Sequence, residues 1–153
     1  MALGIRNVLK INIFEKIDII WLLENIVTQA FGIDYQIVEY HELPNEYAVY
    51  CPHSNKITIR EDVYEAACNG DGRHRLTIAH EIFHALIHKD EVVLARNDEI
   101  VPKFCDPEWQ AFTFGKELLC PIDGIYAEDT AQSLSSRYGI SKEAAGYQLQ
   151  EKK

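Results

Sequence analysis

The sequence predicts an α+β fold with a small antiparallel sheet of three strands packed among helices. Three observations carry that reading. A helical stretch with a wide apolar face precedes Gly32, three short β-type runs follow it, and only helical patterns appear from Asp62 onward.

Taken in order, Ile13 to Phe31 reads as a helix whose apolar face is Ile13, Phe14, Ile17, Trp21, Ile26 and Ala30, stopped by Gly32. The β-type runs are YQIVEY from Tyr35, YAVYC from Tyr47 and KITIR from Lys56, with Ser54-Asn55 as a hairpin tip. In the last run Ile57 and Ile59 alternate with Thr58, as a half-buried strand requires. VYEAAC is a short helix ended by Asn69-Gly70, NGDG is a turn, and Arg73 to His88 is a long helix. Residues 90–106 read as a surface loop containing Pro102. PEWQAFTFGKELL opens on Pro107, a favourable first-turn position, and stops before Pro121. The tail, AQSLSSRYGISKEAAGYQLQ, divides at Gly139 into two helices, with Ser141 as N-cap of the second.

A chain of 153 residues suits one domain able to bury roughly two thirds of its unfolded surface. Within residues 1–153 the expected division is a core to about residue 122 and a helical pair from about residue 126. The net charge of -9 argues against a broad nucleic-acid face and suits a partner with basic patches. Some helix-turn-helix character surrounds Gly139, but the basic residues there are few (Arg137, Lys142, Lys152, Lys153), so direct nucleic-acid contact is not expected. Cys51, Cys68, Cys105 and Cys120 form no C-x-x-C pair and read as reduced, mostly buried thiols of a cytoplasmic protein. Glu15, Lys16, Asp18 and Glu24 interrupt the most apolar segment, which excludes it as a membrane span, and the N-terminus lacks the features of a signal peptide.

The chemistry concentrates in RLTIAHEIFHALIHKD, Arg75 to Asp90. His80 and His84 stand four apart, so a helix aims both imidazoles at one point, as two ligands of a tetrahedral zinc would be. Glu81 lies on the neighbouring flank, within reach of a water at that point, and this H-E-x-x-H pattern makes it the candidate general base. The same spacing is also met by a plain polar stripe of Thr77, His80, Glu81, His84 and His88. Two features favour the metal. The stripe lacks Lys, Arg and Gln, and its flanks are apolar nearly all round, so the polar groups would be buried and in need of a partner. His88 extends the series, but the pair it makes with His84 has Ala85 where the base should be; capping the helix end suits it better.

A catalytic zinc needs a third protein ligand and an open fourth position. Asp90, Glu91, Asp98, Glu99, Asp106, Glu108 and Glu117 are the downstream carboxylates. Glu108 stands out: it opens a helix and shares a face with Ala111 and Gly115, small enough to let that helix approach the histidines. It is equally readable as a first-turn acid favoured by the helix dipole. Glu117 lies on a different face.

RLTIAHEIFHALIH together with PEWQAFTFGKELLCP resembles the ImmA/IrrE family of metallopeptidases, whose members read R-F-T-x-A-H-E-x-G-H-x-x-x-H and then E-x-x-A-N-x-F-A-x-x-L-L-M-P. KITIREDVYEAACNGDGR is similar to the strand and helix ahead of the family motif, so the likeness runs from about Lys56 to Pro121, and the tail resembles the family's terminal helices. The resemblance implies a minimal zincin-like fold, one zinc per chain held by His80, His84 and Glu108, and Glu81 as catalytic residue. It further implies cleavage of a DNA-binding helix-turn-helix repressor of a prophage or mobile element, an anti-repressor role. Phe83 stands where the family has Gly, Phe112 where it has Asn, Gly115 where it has Ala and Cys120 where it has Met. A ring at Phe83, beside the ligands, would be expected to narrow the cleft or change which side chain is accepted.

The expected activity is therefore that of a zinc-dependent endopeptidase, with His74, His88, Tyr64 and Tyr126 as equal candidates to stabilise the oxyanion. The strand Ile57–Arg60 is the expected edge for an extended peptide. The alternative from another class is a regulatory protein-binding module with a structural zinc and little or no peptidase activity.

Overall fold

The computed structural model describes residues 1–87 and 102–153. The three strands are β1 (Asp34–Val38), β2 (Ala48–Cys51) and β3 (Lys56–Arg60), in the order β1-β3-β2. β2 and β3 form the expected hairpin, with Asn55 at φ 49° in its tip. β1, however, pairs parallel to β3, Asp34 opposite Lys56 and Val38 opposite Arg60. The sheet is mixed rather than antiparallel, because β1 crosses over and joins the far side of the hairpin. β3 is thus the central strand, and the peptide edge expected at Ile57–Arg60 does not exist; among the described residues β2 is the edge strand nearest the histidines.

The first long helix is shorter than expected. Ile19–Trp21, the π-helical Leu22–Val27 and Thr28–Phe31 run on as one helix that ends on Gly32 in the left-handed conformation. Its start is set by Asp18, whose carboxylate accepts from the Trp21 N–H at 3.0 Å. Residues before it are drawn away from helix because the Arg6 guanidinium takes the carbonyl oxygens of Asn12 (2.6 Å) and Glu15. With the start moved, the buried stripe is Ile19, Leu22, Leu23 and Val27, while Trp21 and Ala30 are exposed. Arg6 itself belongs to a helix, Ala2–Val8, that no pattern in the sequence announced.

The histidine helix, Gly72–Ile87, is the spine of the molecule. Asp71 caps it by accepting from the N–H groups of Arg73 and His74, both at 3.0 Å. One side faces the sheet, and the other is covered by the glutamate helix, Pro107–Leu119, capped by Asp106. A Cβ on Gly115 would lie 2.9 Å from Leu76 Cδ1 and 3.5 Å from the Ala79 Cβ, so the small residue does permit the close approach. The tail forms the two expected helices, Ala131–Tyr138 and Lys142–Lys152, separated by Gly139 and capped by Thr130 and Ser141. Leu134, Tyr138, Ile140 and Ala144 are buried against the body.

Of the four cysteines, none of them in a disulfide, Cys120 alone is buried; Cys51, Cys68 and Cys105 sit at element ends and are exposed, against expectation. His88 and most of the loop assigned to residues 90–106 fall outside the described residues; Lys103–Cys105 form a short 3₁₀ turn. Among the described residues no helix is long and apolar enough to cross a membrane.

Candidate metal centre

Two neighbouring helices aim three side chains at one point. His80 and His84 come from successive turns of the histidine helix, and Glu108 from the first turn of the glutamate helix. His80 Nε2 lies 3.0 Å from Glu108 Oε2 and 3.0 Å from His84 Nε2, and His84 Nε2 lies 3.3 Å from Glu108 Oε1. Among the described residues these are the ligand-type side chains whose donor atoms all fall within 4.8 Å of one another. Asp90, Glu91, Asp98 and Glu99 lie outside the described residues. Glu117, the carboxylate on another face, accepts from the Ile122 N–H at 3.2 Å and helps close the turn after its helix.

The arrangement fits a metal. Nitrogen and oxygen ligands at ~2.0–2.1 Å from a tetrahedral ion are separated from each other by about 3.3 Å, close to the spacing found here. Burial lowers the pKa of His80 below its usual value, although Glu108 opposes this, so the ring favours the neutral form that a metal ligand requires. The histidine side chains are 20% and 15% exposed, whereas Glu108 is 71% exposed. The triad is therefore walled by protein on two sides and open on the third.

Glu81 is set beside the triad but points toward the sheet. Its carboxylate accepts the Tyr50 N–H of β2 at 2.8 Å, and burial pushes its pKa up to about 8, with the nearby carboxylates of Glu108 and Glu46 adding to the rise. In an antiparallel pair the backbone groups of alternate residues point to the same edge, so Ala48 N–H and C=O share the outward direction of Tyr50 N–H. A cavity of about 330 Å³ lies between β2 and the triad, lined by Glu46, Ala48, Tyr50, His80, Glu81 and Glu108 among others. The β2 contribution was not legible in the sequence beyond YAVYC being a strand, since its polar contact is a main-chain one.

The oxyanion candidates among the described residues lie elsewhere. Tyr64 donates to Glu24, His74 is bonded to Asp71 at 2.7 Å, and Tyr126 stacks on Phe14; none lines this cavity. Phe83 does not narrow the cleft. It shares a helix face with Leu76 and Ala79, is 7% exposed, and packs on Phe114 with ring centroids 5.1 Å apart.

Residues 28–150 match the model of the IrrE N-terminal-like domain, a family of peptidases. No curated protein and no solved structure matches the chain significantly. The matched span takes in the whole sheet, both helices of the triad and nearly all of the tail. The chain therefore belongs to the IrrE N-terminal-like family of peptidases.

Proposed function

We propose that the protein is a zinc-dependent endopeptidase of the gluzincin type, with His80, His84 and Glu108 holding one zinc and Glu81 as the catalytic base. The observation that carries this reading is the convergence of the three donor atoms at 3.0–3.3 Å beside a buried, proton-hungry carboxyl. A zinc bound there would polarise a carbonyl and make a water acidic near neutral pH. Glu81 then takes a proton from the attacking water and returns it to the leaving amine, and its raised pKa suits both halves of that task. The Tyr50 N–H fixes the carboxylate's orientation. The peptide lies along the outer edge of β2, bonded to the main chain at Ala48, which brings one of its carbonyls over the triad.

The substrate we infer is a protein, a helix-turn-helix repressor of a prophage or mobile element, and the setting is the cytoplasm. The acidic surface would speed encounter with such a basic target without determining the cleavage site. Cleavage of a candidate repressor and metal content test the reading together. Glu81→Gln is expected to lower cleavage by roughly 10²–10⁴-fold while keeping one zinc per chain, and His84→Ala to lose both. Full repressor control by Glu81→Gln, abolished by chelation, would instead make the protein a binding module with a structural zinc.

A further inference from the structure

A second cavity, of about 400 Å³, opens on the other side of His80 and Glu81. It shares Glu46 and Ala48 with the first, so the two form one cleft bent around the triad. Their walls differ in kind. His84 and Glu108 line only the first, whereas Leu76 and Phe112 line only the second and, although Arg73, Thr77 and Glu81 also reach it, make most of its exposed surface apolar. Phe112 stands one turn beyond Glu108 on the same helix, which sets its ring beside the metal ligands. It is 36% exposed and lines the cavity.

That ring is braced from behind. Tyr147 of the last tail helix meets it edge-on, with centroids 6.3 Å apart, and the Lys116 ammonium sits 5.3 Å from its centroid. Lys116 is in turn fixed by Glu151 at 2.7 Å. The wall is therefore preorganised. An extended peptide bonded to β2 at Ala48 passes from the first cavity to the second, and its side chains alternate in direction. One next to the scissile bond turns toward Leu76 and Phe112.

Resting on the endopeptidase reading above, we propose that this second cavity is a specificity subsite for a large apolar side chain, Leu, Ile, Met or Phe, with Phe112 as its specificity-determining wall. Filling it with such a side chain in place of Gly raises kcat/KM by about 10–100-fold.

Zinc-loaded protein is incubated with a mixed peptide library, and the cut sites are read by mass spectrometry. The expected profile shows a large apolar residue favoured at one position flanking the cut. Phe112→Ala flattens that preference, and Phe112→Trp shifts it toward smaller apolar residues, a reversal that loss of general structure would not produce. An absent preference, or one untouched by both variants, overturns the subsite. A second measurement decides if no peptide is cut: N-acetylleucinamide and N-acetylglycinamide are titrated against labelled protein and mapped by NMR. Shifts at Ala48, Leu76 and Thr77 with the leucine probe alone, lost in Phe112→Ala, support the pocket while the peptidase reading fails. Shifts elsewhere, or none, remove both.

Discussion

The two ends of the histidine helix bury polar groups in opposite ways. Near its start, Arg75 is 2% exposed and gives its guanidinium hydrogens to the carbonyls of Tyr138, Gly139 and Ile17. Among the described residues no carboxylate pairs with it. Donors meet acceptors there, and one cation ties the spine to both ends of the chain. Two turns later, two imidazole nitrogens and a carboxylate converge on one spot, where a cation would draw on their lone pairs, beside a carboxyl whose pKa burial pushes up to about 8. The first end is complete as it stands; the second would be completed by a cation. The same helix therefore carries a structural clamp and a candidate functional centre, and what separates them is that the clamp joins a donor to main-chain carbonyls whereas the centre gathers ligand-type atoms.

Breaking the clamp should have the largest effect. Arg75→Met leaves three buried carbonyls without their donor and should cost ~3–5 kcal/mol. Thermal and urea unfolding should show the same loss with and without zinc, and zinc bound per folded chain should not change. A loss that disappears on chelation would mean that Arg75 serves the metal centre instead, and the contrast between the two ends would fail.

The metal supplies the next effect. Zinc at 100 times its dissociation constant should stabilise the wild type by about 2.7 kcal/mol, read as a rise in Tm. His84→Ala should remove that gain. In chelator, however, the variant should lose less than that gain, since only the contacts of His84 with His80 and Glu108 and its ring packing go. Destabilisation of His84→Ala in chelator as large as the wild type's gain from zinc would mean that the triad is already satisfied without an ion.

What the sequence revealed divides along the same line. Local signals were legible: Pro107 and Pro121 bracketed the glutamate helix, Ser141 marked a cap, and the i, i+4 histidines placed two donors on one face. Glu108 came within reach because Ala111 and Gly115 repeat along its own face, a pattern that survives in one dimension. Contacts made by main chain were not legible. The Tyr50 N–H that holds Glu81 carries no side-chain signature, and neither do the carbonyls that neutralise Arg75. The parallel pairing of β1 and the late start of the first long helix were missed for related reasons: the sheet partner lies beyond β2 in sequence, and Arg6 acts on main-chain carbonyls. Phe83 was misjudged because the motif shows that it is beside the ligands but not which neighbour covers it.

The smallest effect isolates the buried carboxyl. In chelated protein, Glu81 of the unfolded chain loses its proton near the ordinary value of 4.5, whereas the folded chain keeps it to about 8. Between those values the folded state binds more protons, so this group's contribution to stability falls as pH rises; below 4.5 both states are protonated and the penalty is absent. Gln does not titrate, and its carbonyl can still accept the Tyr50 N–H. Glu81→Gln should therefore gain on the wild type as pH is raised from 5 to 8. The gain should reach only about 1–2 kcal/mol, because the new amide N–H groups must also find partners in a buried site. Parallel unfolding curves at pH 5 and pH 8 in chelator check it. An advantage that shrinks with rising pH would mean that Glu81 is ionised in the folded protein, and that the Tyr50 N–H compensates the buried charge as fully as the carbonyls do for Arg75.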